Sequence, residues 1–599
     1  MPNRMPNLVR FLPALLLMTV TSARATPDPA LAKLCDEYWQ GTLAASPTYA
    51  TSIGDRRFDD RMPDITPAAI ERDRVRMEGV LTRARAFDPK QLDAADRLNR
   101  SALIETVGGH LASISCHFED WVVDPLGGPQ VEIFNLADYT VIEKPDDARK
   151  FVLRCRAMGK YLDDHVANLR SGLKRGRTAE RDAVMKVQQQ LDALLAQPVT
   201  EWALMNPAKE AHKGWSQGQS DQFRSDVAAA LEGSVKPGLT HYRDLIVKEI
   251  LPAARPPEKA GLVNLPDGLE CYQKRIREQT SLDLTPQQIH AIGLEQVHMI
   301  REELSELGQK TMNTTRVELI QHRLRDDPAM QFSNAAEVEA AARDALARAK
   351  AAIPRWFGIL PKADCEVKVM GMHEAPQSTI AYYRNPTKDG SRPGYYMINT
   401  YQPETRPRYE AQALAFHESI PGHHLQIAIA MELKGLPEFR KYEGVTAFVE
   451  GWALYTERLA DEMGLYSSDT DRFGMLSFDA WRACRLVVDT GIHAMGWSRQ
   501  QAIDFMVDNT VLARNNIENE VDRYITWPGQ ALAYKLGQLE IMKLRDDAQR
   551  KMGARWDIKE FHDVVLKNGA LALPVLREQV EAYYAAKEVQ ATPVSKPTR

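Results

Sequence analysis

The chain has 599 residues, 44% hydrophobic and 26% charged, with a formal net charge of −5 at pH 7. That length exceeds what one core usually serves, so two lobes are expected. The nearly balanced charge excludes a broad basic field for nucleic acid, and the composition excludes a disordered chain or a membrane bundle.

In chain order the first element is a leader. Arg4 and Arg10 precede the apolar run FLPALLLMTV, and the small residues Ala23 and Ala25 follow. This three-part form reads as a signal peptide over residues 1–25, so an exported, periplasmic or secreted protein is expected. The run is shorter than the roughly 20 apolar residues that span a bilayer, and no later stretch reaches that length. An integral membrane protein is therefore not expected. No cysteine directly follows the small residues, which argues against a lipid anchor. Six cysteines are scattered without a CxxC pair, so a cysteine-rich metal site is not expected either. In an oxidising compartment some of them can pair.

Residues 26–250 read as an N-terminal helical lobe. RKFVLRCRAMGKYLDDHVANLRSGL repeats apolar residues at helical spacing, and a second helix over 178–197 stops at Pro198. The Pro- and Gly-rich segment 251–268 is the expected linker, and residues 269–599 the second lobe. There Thr285, Pro286 and Gln288 predict a capped helix start. CEVKVMGM, STIAYY and GYYMINTY then alternate or are rich in β-branched and aromatic residues. They predict a small antiparallel sheet just before the segment that carries the chemistry. The remainder, from about Arg408 to Lys587, returns to helices. The expected fold class is mainly α.

HESIPGHH, residues 417–424, is the centre of that chemistry. A hydrolytic zinc site takes about three protein ligands and keeps one position open. His417 supplies a ligand, and Glu418 beside it can take a proton from the attacking water. In an HExxH helix the second histidine stands one turn on. Here His423 stands six positions after His417, about 9 Å along an unbroken helix at about 1.5 Å per residue. Pro421 cannot continue a regular helix and Gly422 tolerates unusual dihedrals. A Pro-Gly bulge is therefore expected to return the second ligand beside the first. Counting alone does not settle which histidine returns; treating Pro-Gly as an insertion into the HExxH pattern favours His423, with His424 facing substrate or a supporting partner. The third ligand is expected to be Glu450, since a carboxylate amid Ala447–Val449 and Trp452–Leu454 is costly to bury unless it is paired or metal-bound. Glu457, two turns on, is placed either to hydrogen-bond a ligand histidine or to form a surface ion pair with Arg458 or a neighbour.

In SFDAWRACRLVVDTGIHAMG a polar stripe of Arg485, Asp489 and His493, preceded by Arg482, interrupts an apolar helix. Asp489 is expected to orient His493, and His493 to donate to an oxyanion. Ser498 and Gln501 read as a structural capping box. Trp527-Pro528-Gly529-Gln530 reads as a turn presenting a helix N-terminus to a substrate carboxylate. Tyr524 reads as a core residue.

HESIPGHHLQ followed by EGWALYTE, with GSRPGYYMIN before and WPGQALAYKLG after, resembles the bacterial domain-of-unknown-function family eight-eight-five. That family is distantly similar to thimet-oligopeptidase-like and carboxypeptidase Taq-like zinc metallopeptidases. The resemblance implies a two-lobed helical shell around a deep cleft, with zinc on His417, His423 and Glu450 and Glu418 as base. It is also the main ground for giving Tyr534 an oxyanion role. The expected activity is zinc-dependent hydrolysis of short peptides. The alternatives are a zinc hydrolase of a non-peptide amide and a non-catalytic peptide-binding protein. A homodimer is left open.

Overall fold

Helix boundaries follow local chemistry. Thr285 Oγ1 accepts from the amide of Gln288, and Gln288 Oε1 accepts from that of Thr285, which opens the helix Pro286–Met312. Ser498 and Gln501 do the same for Arg499–Asn509. Each box satisfies amides that the first helical turn leaves free. The helix Arg181–Leu195 ends just ahead of Pro198. The computed structural model describes residues 27–591, apart from 373–374, 376–378, 388–389 and 391. The expected signal peptide lies outside the described residues. Among them no helix is long and apolar enough to cross a membrane.

The architecture is mainly α with one three-stranded sheet. Strands β1 (Cys365–Val369), β2 (Ala381–Arg384) and β3 (Gly394–Ile398) lie in the order β1-β3-β2. β3 runs parallel to β1 and antiparallel to β2, with Cys365 opposite Gly394 and Ala381 opposite Ile398. The sheet is therefore mixed, not purely antiparallel. The chain leaves β1, forms β2 at the far edge, and turns back so that β3 fills the gap between them.

Several hydrophobic clusters share the interior. One spans residues from Val123 to Ala254, and another begins at Ala260, so the segment 251–268 contributes residues to both. That segment is docked, with Ala260 and Leu262 buried. The helices Pro29–Ala45, Pro67–Ala86 and Ala94–Ile114 form a further cluster that takes in Phe439 from the far half of the chain. A disulfide joins Cys116 to Cys271, 155 residues apart. The first helices are thus tied to the second half by packing and by a covalent bond.

Two contacts place the site. The helix Asp469–Met495 is buried without interruption from Phe473 to His493 and lies along Pro286–Met312. Burial on all sides explains its nearly all-round apolar sequence. The helix Thr446–Glu462 crosses Ala533–Met552 at Gly451 and Gly537. A Cβ on Gly537 would sit 1.8 Å from the Ala447 carbonyl oxygen, so only bare backbone fits this crossing. The close approach sets Glu450 and Tyr534 on one cavity of about 2080 Å³. Its walls also include Gln130 and Gln190 from the first half, Tyr382 and Tyr383 of β2, and Trp481, Arg482 and Arg485 of the long helix.

Candidate metal centre

The helix Ala411–Glu418 stops at the motif and a second helix, His423–Glu432, starts after four intervening residues. Between them Ser419 and Gly422 leave helical dihedrals, and the Ile420–Pro421 peptide is cis. Gly422 passes so close to the preceding turn that a Cβ would lie 1.9 Å from the His417 carbonyl oxygen. No other residue fits there. Two side chains of the next helix hold the break. Trp452 Nε1 donates to the Pro421 carbonyl at 3.0 Å, and Thr456 Oγ1 donates to that of Phe416 at 3.3 Å.

The return brings the two imidazoles edge to face, with ring centroids 4.8 Å apart. Glu450 Oε2 lies 3.6 Å from His417 Nε2 and 3.5 Å from His423 Nε2. One donor atom from each of the three residues falls within 4.8 Å of the other two. Glu450 Oε2 is buried and has no hydrogen-bond partner. Donors sharing one tetrahedral ion at about 2.0–2.2 Å stand about 3.3 Å apart, so these separations suit a common ion. Two imidazoles, one carboxylate and an orphaned buried oxygen are a donor set that fits a divalent metal.

The surroundings fix the His417 ring. Its Nδ1 lies 2.8 Å from Glu457 Oε1, and both side chains are buried. Glu457 thereby fixes the ring and leaves Nε2 facing Glu450. Burial pulls the His417 imidazole down, but the adjacent carboxylates of Glu450 and Glu457 outweigh it and set it at about 9. The Glu450 carboxyl is pushed up by burial, yet the two histidines hold it well below the usual carboxylate range. Glu457 does not pair with Arg458, which instead binds Glu303 and Asp479.

Glu418 lines the cavity beside these donors, and burial raises its carboxyl against the pull of His417 and His423. His424 does not join them. Its Nδ1 lies 3.0 Å from Tyr383 Oη and its Nε2 3.1 Å from the Ala363 carbonyl. Fully buried between strand and loop, it is pushed down to about 4 by burial and stays neutral. It ties the helix His423–Glu432 to β2 and does not face the cavity.

The polar stripe divides. His493 is not placed for the expected oxyanion role. Its Nε2 lies 2.9 Å from the Tyr524 carbonyl and its Nδ1 accepts from the Leu262 amide at 3.2 Å. Both ring nitrogens are spent on backbone, the side chain is fully buried, and it is not among the cavity walls. Asp489 does not orient it either; it accepts from Tyr272 Oη and the Gly529 amide. That bond also engages the turn at Gly529, so a substrate carboxylate cannot take the same amide. Tyr534 does line the cavity, with the Arg485 guanidinium 4.4 Å above its ring and Gln530 Nε2 3.5 Å from its hydroxyl. Tyr524 is a core residue that accepts from Trp481 and Arg485 and donates to Glu520.

Sequence reasoning gave Arg482 and Glu410 no role, yet both line the cavity. Glu410 accepts from Ser477 at 2.7 Å, and burial raises its carboxyl to about 7. Arg482 carried one legible signal, a cation in an apolar helix.

The chain is thus a mainly helical protein with a candidate three-donor metal centre on the wall of a large cavity. The chain belongs to the family described as bacterial protein of unknown function (DUF885), whose model matches residues 47–580. Among solved structures it is similar to a Colwellia psychrerythraea protein described as a lipoprotein, at 26% identity and TM-score 0.87, covering 93% of this chain and 99% of that one. A Shewanella oneidensis protein described as a lipoprotein of unknown function matches at 18% identity and TM-score 0.71, covering 92% and 99%. A Pyrococcus furiosus carboxypeptidase matches at 10% identity and TM-score 0.37, covering 94% and 100%, a likeness too slight to carry an argument. No curated protein matches.

Proposed function

We propose that this protein is an exported metallopeptidase that hydrolyses short peptides, with zinc held by His417, His423 and Glu450. The observation that carries the reading is the convergence of these donors around an orphaned carboxylate oxygen, beside Glu418, on the wall of a large cavity. A bound zinc ion supplies Lewis-acid polarisation of the scissile carbonyl and lowers the pKa of water towards about 7. Glu418 accepts the proton of the attacking water and passes it to the leaving amine. Glu457 keeps the His417 ring in the orientation that presents Nε2. Tyr534 donates its phenolic hydrogen to the negative charge that develops on the carbonyl oxygen.

A peptide fits this cavity because one wall is the edge of a sheet. Among the described residues β2 pairs only with β3, and Thr379–Tyr383 line the cavity. An extended backbone gains main-chain hydrogen bonds on such an edge. Export is supported by the leader sequence, by the Cys116–Cys271 disulfide and by the lipoprotein descriptions of the similar structures. The test is a peptide-library digest read by mass spectrometry, with and without chelator. Cleavage that stops with chelator and returns with zinc is expected. A library left intact by the zinc-loaded chain would overturn the reading.

A further inference from the structure

Arg482 stands on the long helix and lines the cavity with His417, Glu418, His423 and Glu450. It is only 5% exposed. Its Nε and Nη1 are buried without a hydrogen-bond partner. Aromatic rings hold the guanidinium in place, Trp481 at 4.3 Å and Phe478 at 4.6 Å. Rings can bind a cation, but they leave its in-plane N–H groups free. A buried guanidinium with open donors is costly unless an anion completes it.

The neighbours do not complete it. Arg485 gives Nε to Tyr524 and Nη2 to Glu520, and its Nη1 is buried and unpartnered. Arg523 shares the same Glu520 at 3.0 Å, and its Nε is also buried and unpartnered. One carboxylate thus serves both. Glu410, Glu450 and Glu457 act on Arg482 through space only, and each is engaged elsewhere: Glu410 with Ser477, Glu450 in the donor set, and Glu457 on His417.

We infer that Arg482, flanked by Arg485, receives a carboxylate of the peptide substrate beside the three-donor centre. This rests on the peptide reading above and adds the chemical class of substrate. A guanidinium matches a carboxylate through two parallel N–H···O bonds, so the site selects by shape as well as charge. The carboxylate belongs either to the C-terminus of the peptide or to an acidic side chain, and the test separates the two.

Calorimetry on the full zinc-loaded chain carrying Glu418→Gln, which blocks turnover, supplies the readout. The probes are tetra-alanine with a free C-terminus, its C-terminal amide, and the amide with one internal glutamate. The free acid is expected to bind about ten- to a hundredfold tighter than the plain amide, the range of charge-assisted hydrogen bonds. If the glutamate-containing amide alone shows this gain, the carboxylate is a side chain. Adding Arg482→Gln is expected to abolish the preference, while Arg482→Lys, which keeps a cation and protects folding, retains part of it. Equal binding of all three probes, or no binding, overturns the inference even if neither variant folds. So does a preference that survives Arg482→Gln and vanishes only with chelator, because it then belongs to the metal. A carboxylate preference in a chain that cleaves no library peptide would sink the hydrolytic reading and leave this site standing.

Discussion

The two ends of one polar stripe meet different fates. Arg482 and Arg485 open on the cavity, whereas Asp489 and His493, two turns further along the same helix, are sealed against the Tyr272, Leu262 and Gly529 side of the fold. All four are buried polar residues in an apolar helix. At the sealed end, hydrogen bonds from neighbouring segments consume the polar capacity, which stabilises the docking of those segments. At the open end the capacity is left partly unspent, and those donors face the cavity. Along this helix the partner inventory, and not burial, distinguishes Asp489 and His493 from Arg482 and Arg485.

Substitutions at the two ends should therefore differ in their effects. The largest effect is expected at the cavity. Glu418→Gln should lower peptide turnover by about 10²–10⁴-fold, the usual contribution of a positioned base, while zinc content and melting temperature stay near wild type. Unchanged turnover would remove Glu418 from the chemistry. Next comes the adjacent histidine pair. His423→Ala should lose stoichiometric zinc by elemental analysis. His424→Ala should keep zinc but lose about 1–3 kcal/mol of stability in denaturant melts, because Tyr383 and the Ala363 carbonyl lose their buried partner. Zinc lost from His424→Ala alone would reverse the ligand assignment.

The smallest effect belongs to the sealed end. His493→Gln should leave kcat of the folded protein unchanged and cost about 1–3 kcal/mol near pH 7. It should also alter the acid limb. Burial pushes the His493 imidazole down to about 4, against about 6.5 in the unfolded chain. Between those values the unfolded chain binds the extra proton, so stability is present above about pH 6.5 and falls as the pH drops towards 4. The slope from this group is about 1.4 kcal/mol per pH unit. His493→Gln should show a shallower loss, by up to that amount, in urea melts from pH 7 to 5. A variant with reduced kcat and an unchanged acid slope would place His493 with the cavity group after all.

Much of the site was legible because it is written in local chemistry. The HE pair, the Pro-Gly break and a glutamate set among apolar residues each carry their meaning within a few positions. The mixed sheet was not legible, since strand texture does not say which strand lies in the middle. Nor was the division of the stripe, since regular helical spacing gave all its members the same expectation.

By itself the sequence determined where helices begin, where the motif helix must break and which residue types stand ready for a metal. Only tertiary structure decided that His423 turns towards Glu450 while His424 turns towards β2, that His493 is closed in by backbone, and that Arg482 is left without a partner. The physical reason is range. Caps, prolines and glycines act on their immediate neighbours, whereas the partner of a buried polar group arrives from segments up to hundreds of residues away, as Leu262 reaches His493 and Tyr272 reaches Asp489.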